Sequence, residues 1–169
     1  MQIRLQELAT KPGYHAQFDY TIDLSKEEVG FEFPFQQPVR VEGEVSDDAG
    51  AITLSATIYA HVTTRCARCG KPVEYDKETD VEFRLVKELE SDDADRDDLY
   101  LVESEAVELD DILIPELILD MEMAVVCDED CKGLCPKCGQ NLNHGSCGCV
   151  TREVDPRLAV LQKFLDNKK

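Results

Sequence analysis

Eight cysteines constrain this chain more than any other feature. Six crowd into VCDEDCKGLCPKCGQNLNHGSCGC (126–149) and two lie upstream in RCARCGK (65–71). Two pairs share one form, Cys66-Ala-Arg-Cys69-Gly70 and Cys135-Pro-Lys-Cys138-Gly139. Cysteines separated by two residues can bind one ion from a tight turn, and a following glycine lets the backbone curl around the sulfurs. The remaining thiols form Cys127-x3-Cys131 and Cys147-x-Cys149. Zinc takes four ligands in a tetrahedron, so eight thiolates make two Zn2+ sites of four cysteines each.

Two divisions of the ligands are open. In the more economical one, Cys135, Cys138, Cys147 and Cys149 close locally over QNLNHGS as a ribbon-like finger. Cys66, Cys69, Cys127 and Cys131 then form a long-range site that ties a hairpin's exit to the end of a long helix. In the other, Cys127, Cys131, Cys135 and Cys138 bind together, and Cys66 and Cys69 join Cys147 and Cys149. His144 could replace a ligand, but it reads as an exposed loop histidine. Either way both sites are filled by sulfur, with no position for an activated water, which describes structural rather than catalytic zinc. No Ser/His/Asp constellation, phosphate loop or placed general base accompanies them, and His15, His61 and His144 are scattered. The chain reads as no enzyme, without a small-molecule substrate.

A metal reading also requires reduced thiols. The stretch MQIRLQELATKPGYHAQFDYTIDL has no apolar run behind a basic start, and nothing approaches the ~20 apolar residues of a membrane span. The expectation is a cytoplasmic protein without signal peptide or membrane contact, where clustered cysteines bind metal rather than pair as disulfides. At 169 residues and 43% hydrophobic, the chain can bury a core without relying on its cysteines. Its net charge of −18 is uneven. Residues 1–130 hold 11 basic and 33 acidic side chains, whereas 131–169 hold 7 and 3. Phosphate binding needs a basic face, so most of the chain would be repelled from RNA and suits a basic protein instead.

The first half reads as strands. VRVEGEVS (39–46) alternates, Asp47, Asp48 and Gly50 supply a turn, and Ile52, Leu54, Ala56, Ile58, Ala60 and Val62 then share one face. Val81, Phe83 and Leu85 alternate with charged residues, and runs near Ile3–Leu8 and Phe18–Leu24 extend the sheet. The acidic run 88–98 reads as a solvated loop without the spacing of a calcium loop. From Leu109 the period becomes helical through Ile112, Leu113, Leu117 and Met121. Asp110 and Asp111 are capping candidates, and Pro115 implies a late start or a bend. Asp155 and Pro156 open a last helix with an apolar stripe at Leu158, Leu161 and Leu165. The fold class is α+β: a mainly antiparallel sheet packed against a helix, a C-terminal cysteine-rich zinc finger and a short terminal helix. Residues 1–130 form an acidic β-rich domain with its helix at about 109–124, residues 131–152 the zinc-ribbon-like finger, and residues 153–169 the C-terminal helix.

CARCGKPV, the acidic loop, ILIPELILDM, VCDEDCKGLCPKCGQNLN and the closing DPRLAVLQKFL together resemble the YceD-like family of bacterial and plastid proteins. The resemblance is specific in the CxGLCPxCGxNLN block and the DPRLAxL ending, and loose over residues 1–60. It implies a role in accumulation or processing of large-subunit (23S) ribosomal RNA, in ribosome biogenesis, with no assigned catalytic activity. It also implies that the Cys66, Cys69, Cys127 and Cys131 site is shared across the family, the finger being an addition in a subset. The expected partner is a large-subunit ribosomal protein or precursor rRNA. One alternative is a redox-responsive zinc thiolate chaperone or sensor. Another is a direct RNA-binding ribbon using Arg65, Arg68, Lys71, Lys132, Lys137 and Arg152.

Overall fold

A computed structural model describes residues 1–4, 13, 15–48, 50–88, 98–102 and 106–149. The terminal helix expected from Asp155, residues 5–8 of the first strand and residues 89–97 of the acidic run lie outside the described residues. The chain divides into two compact units. One comprises Met1–Thr64 and Pro72–Val125, and the other joins Arg65–Lys71 to the segment from Val126 onward.

The first unit is built on a five-stranded sheet. Its strands are β2 (His15–Ile22), β3 (Val39–Asp48), β4 (Ala51–Arg65), β5 (Pro72–Val86) and β6 (Leu99–Leu101), side by side in that order. β1 (Gln2–Arg4) pairs apart from it with β7 (Ala106–Glu108), antiparallel, with Ile3 opposite Val107. β2 to β3 and β3 to β4 are antiparallel, with Phe18 opposite Gly43 and Gly43 opposite Ala56. Across β4 and β5, Thr57 bonds Asp80 and His61 meets Asp76, so partners retreat along β5 as β4 advances. That is antiparallel pairing as well.

Two expectations change here. The sheet, expected to be mainly antiparallel, is mixed, because β6 runs parallel to β5, with Arg84 opposite Leu99 and Val86 opposite Leu101. A parallel neighbour needs a long connection, and the acidic run 88–98, read from sequence only as a loop, lies in the stretch that supplies it. The β3–β4 turn is also tighter than expected. Asp47 and Asp48 stay in the strand, paired with Ile52 and Ala51, and only residues 49–50 connect them. The Asp47 carboxylate turns inward and accepts the Gly50 N–H at 2.9 Å.

Alternation sorts the side chains as the period-two pattern predicts. Leu54, Ala56, Ile58, Ala60 and Val62 of β4 are buried with Val39, Val41 and Val45 of β3 and Val81 and Leu85 of β5. Gly43 lies on the same inward face. A Cβ there would collide with the Ser55 carbonyl and stand 2.8 Å from the Phe18 ring, so only glycine fits. Helix α1 (Leu109–Leu119) completes this core with Leu109, Ile112, Leu113 and Leu117.

The helix begins at Leu109 despite Pro115, which lies in its interior. Proline has no N–H to return to Asp111, and the buried stripe on either side outweighs that lost bond. The cap position is Glu108, with no side-chain cap bond, so Asp110 and Asp111 fall in the first turn instead of capping. Carboxylates there suit the helix's positive end, and Asp110 accepts the Tyr20 hydroxyl at 2.7 Å. Burial and that carboxylate hold the Tyr20 phenol well above its ordinary range. The helix stops at Asp120, short of the expected end near 124. The Asp120 N–H closes on Glu116 O, while its carboxylate accepts Thr79 Oγ1 (2.8 Å) and pairs with Lys77 Nζ (3.0 Å). Among the described residues no helix is long and apolar enough to cross a membrane.

These contacts give a pH test of the helix end. The Thr79 hydroxyl and Lys77 hold the Asp120 carboxyl below its ordinary value of 3.8. A depressed carboxyl stabilises the fold above the ordinary value, and this stabilisation fades as pH falls through the lowered one. Asp120→Asn keeps an acceptor for Thr79 but removes the charge. Thermal unfolding is expected at a lower temperature than in the parent at pH 7, with the gap closing toward pH 3. A gap that is constant with pH would show that the charge contributes nothing.

Candidate metal centres

The second unit carries all eight cysteines. Its two CxxCG turns are folded alike. Cys66 N–H donates to Lys71 O and Gly70 N–H to Cys66 O, each at 2.8 Å. Cys135 N–H donates to Gln140 O and Gly139 N–H to Cys135 O, again at 2.8 Å. Gly70 (φ +72°) and Gly139 (φ +73°) are left-handed, as the motif requires. In both turns the backbone folds around a pair of sulfurs, so the ligand geometry is set by main-chain hydrogen bonds.

The structure gathers the sulfurs into two sets: Cys66, Cys69, Cys127 and Cys131, and Cys135, Cys138, Cys147 and Cys149. Within each set all Sγ atoms lie within 4.8 Å of one another. It does not bring Cys127 and Cys131 together with Cys135 and Cys138 as a quartet. Cys66 Sγ lies 3.8 Å from Cys131 Sγ, and Cys69 Sγ lies 3.6 Å from Cys127 Sγ. Disulfides need about 2.05 Å, so these are unbonded pairs. A tetrahedron with ~2.3 Å metal–sulfur bonds has edges of about 3.8 Å. The spacing and the all-sulfur donor set both fit a soft, four-coordinate metal ion. His144 is exposed and belongs to neither set.

Thiol acidities split within each set. N–H groups of Cys127, Cys69 and Arg68 pull Cys66 down, and those of Cys138 and Lys137 pull Cys135 down. Hydrogen bonding to Cys69 pushes Cys127 up, and hydrogen bonding to Cys138 pushes Cys149 up. Four thiolates so close repel, so some sulfurs keep protons until a cation displaces them. Binding must therefore release protons and weaken as pH falls.

Sequence reasoning missed the residues that hold the first set in place. Arg68, expected in a nucleic-acid face, donates inward from Nη1 to the carbonyls of Glu129 (2.9 Å) and Cys131 (3.0 Å). The Arg68 carbonyl accepts Leu134 N–H at 3.1 Å. A side chain at Gly133 would stand 2.9 Å from that oxygen, and its φ of +72° is left-handed. Asn143, between the second set's two pairs, donates from Nδ2 to Cys131 Sγ (3.4 Å) and accepts Lys132 N–H (2.7 Å). The finger loop thus orients a sulfur of the other set. The signal was present in CGxNLN, where an asparagine ends the block, but spacing alone does not show which sulfur it reaches.

A β-rich chain with two four-cysteine clusters is the class of protein that fold and site define. Residues 54–165 match the family described as large ribosomal RNA subunit accumulation protein YceD, and the chain belongs to that family. YlbN of Bacillus subtilis (strain 168) is 27% identical over 167 residues, covering 98% of this chain and 96% of that protein. A protein of Mycobacterium tuberculosis (strain H37Rv) is 28% identical over 116 residues, 68% of this chain but 56% of its own length. The chloroplastic large ribosomal RNA subunit accumulation protein YCED homolog 1 of Arabidopsis thaliana is 28% identical over 152 residues, 73% of this chain and 47% of its own. No solved structure matches.

The Asn143 contact is testable in the reduced, metal-free chain by cobalt titration, read through the thiolate-to-cobalt absorption band. Groups that orient a ligand typically alter metal affinity about 10–100-fold. Asn143→Ala is expected to weaken uptake at one of two sites by that amount and leave the other unchanged. Equal affinities in variant and parent would reduce Asn143 to a loop residue.

Proposed function

We propose that this protein is a non-catalytic zinc-binding factor in ribosome biogenesis. In this reading it supports 23S rRNA accumulation or processing by holding a basic large-subunit protein on its sheet. Each sulfur quartet would bind one Zn2+, which supplies folding free energy and a cross-link between segments. An all-sulfur donor set leaves no place for an activated water, which supports a structural role.

One observation carries the choice of partner. The solvent face of the five-stranded sheet carries acidic side chains on β2, β3 and β5. Glu74, Asp76, Glu78, Asp80 and Glu82 alternate along β5, all exposed. Asp19 on β2 and Glu42 on β3 oppose each other across the same face. Arg40 is already paired there, at 2.8 Å from Asp19 and 2.6 Å from Glu42. Such a face repels phosphate and attracts Lys- and Arg-rich protein. The inward use of Arg68 further weakens the RNA-binding ribbon. The redox reading has less support at the first quartet, where Cys66, Cys69 and Cys131 are buried.

Tagged full-length protein should co-purify large-subunit proteins. Glu78→Lys with Glu82→Lys, both solvent-facing, should cut that enrichment at least several-fold with the fold intact by circular dichroism. No enrichment from the parent, or salt-sensitive binding of protein-free rRNA instead, would overturn the proposal.

A further inference from the structure

The connection from β2 to β3, DLSKEEVGFEFPFQQP (23–38), carries a feature that neither the core nor the cysteine clusters use. Val29 N–H donates to Glu32 O at 2.9 Å and Glu32 N–H returns to Val29 O at 3.1 Å, closing a two-residue turn. Both central residues are left-handed, Gly30 at φ +60° and Phe31 at φ +70°. Hairpin turns favour this form but fill it with Asn-Gly or Gly-Gly. Phe31 is the one non-glycine residue with positive φ among the described residues. Its ring is also 94% exposed. The position therefore carries a backbone strain that asparagine or glycine would relieve, and leaves in water a ring that folding would otherwise bury.

The mount is rigid. Val29 packs against the core, and Phe35 is fully buried. Pro34 O accepts Thr63 N–H at 2.9 Å, and the Glu32 carboxylate accepts the Thr64 hydroxyl at 2.9 Å. Beside Phe31, Phe33 is half exposed. A solvent-facing aromatic on a held backbone is the kind of group that anchors an interface, because covering its ring removes a large apolar surface from water. The surroundings choose the partner: Asp23, Glu27 and Glu28 stand in this segment against Lys26 alone, apart from Glu32, whose carboxylate is engaged by Thr64.

We propose that Phe31 anchors a docking site for an arginine-rich protein segment, with guanidinium groups stacked on the ring and paired to the flanking carboxylates. The site rests on the proposed reading in which a basic large-subunit protein is the partner, and it identifies a contact point for that protein. A second copy of this chain is disfavoured by its charge of −18, and anionic membranes and nucleic acid by the same repulsion.

Phe31→Asn tests this, since asparagine tolerates the left-handed turn and leaves the net charge unchanged. The full chain and the variant would be titrated calorimetrically with a synthetic arginine-rich peptide and its arginine-to-lysine version at physiological salt. The parent should bind the arginine peptide about tenfold more tightly than the variant does and prefer it to the lysine version. The variant should unfold at the same or a higher temperature. Equal binding by parent and variant, no binding by either, or concentration-dependent self-association of the parent that Phe31→Asn abolishes would each overturn the proposal. Salt-stripped, RNA-free large-subunit proteins form a second probe. If they bind parent and variant equally, the Phe31 site fails while the ribosomal reading stands. If they bind neither while the arginine peptide distinguishes the two, the ribosomal reading fails and the site stands.

Discussion

Four cysteine sulfurs within 4.8 Å of one another are a concentration of potential negative charge that a chain does not assemble without a reason. Two such quartets organise everything from Val126 to Cys149, and one of them reaches back across 65 positions in the chain to Cys66. Closing so long a loop by protein contacts alone costs considerable chain entropy. The local hydrogen bonds that hold the first quartet are few: one arginine side chain, one asparagine and the amides of a turn. Structural zinc in small fingers contributes roughly 10–16 kcal/mol, as much as the ~5–15 kcal/mol net stability of an ordinary domain. A cation taken by each quartet would supply stability of that order to the described part of this unit.

The sheet solves a different problem with the same economy. A strand has two faces, and here one is apolar and carries the core while the other is polar, with acidic side chains on β2, β3 and β5. The sorting depends on register, since a slip of one residue would bury Glu74, Asp76 and Glu78 and expose Val81 and Leu85. Gly43 lies between Phe18 of β2 and Ala56 of β4, where a side chain would collide with the Ser55 carbonyl, so it keeps β3 in register with both neighbours. Folding and surface charge are thus one constraint.

Much of this was legible in the chain. Alternation placed β4 and its inward face correctly because a half-buried strand leaves a period of two. The helical stripe found all four buried residues of α1 for the equivalent reason. Ligand counting gave two sets of four because CxxCG turns are local, but it left two divisions open, and the structure gathers the more economical one. What stayed hidden depends on distant partners. The parallel placement of β6 is set by where the chain returns, which no local pattern records. Pro115 reads as a late start or a bend, yet the helix already begins at Leu109 with buried residues on both sides of the proline. Arg68 looks like a surface cation until the carbonyls of Glu129 and Cys131 are placed beside it. The left-handed Phe31 contradicts its own residue type, so only the backbone shows it.

Eight cysteines gathered as two separate four-sulfur clusters should take two metal ions, one in each. The most direct measurement is zinc per chain in protein purified under reducing conditions, for the parent and for Cys66→Ser and Cys135→Ser separately. Two ions per parent chain and about one in each variant are predicted. A parent value near one, or loss of both ions from a single substitution with the other variant unaffected, would contradict the division.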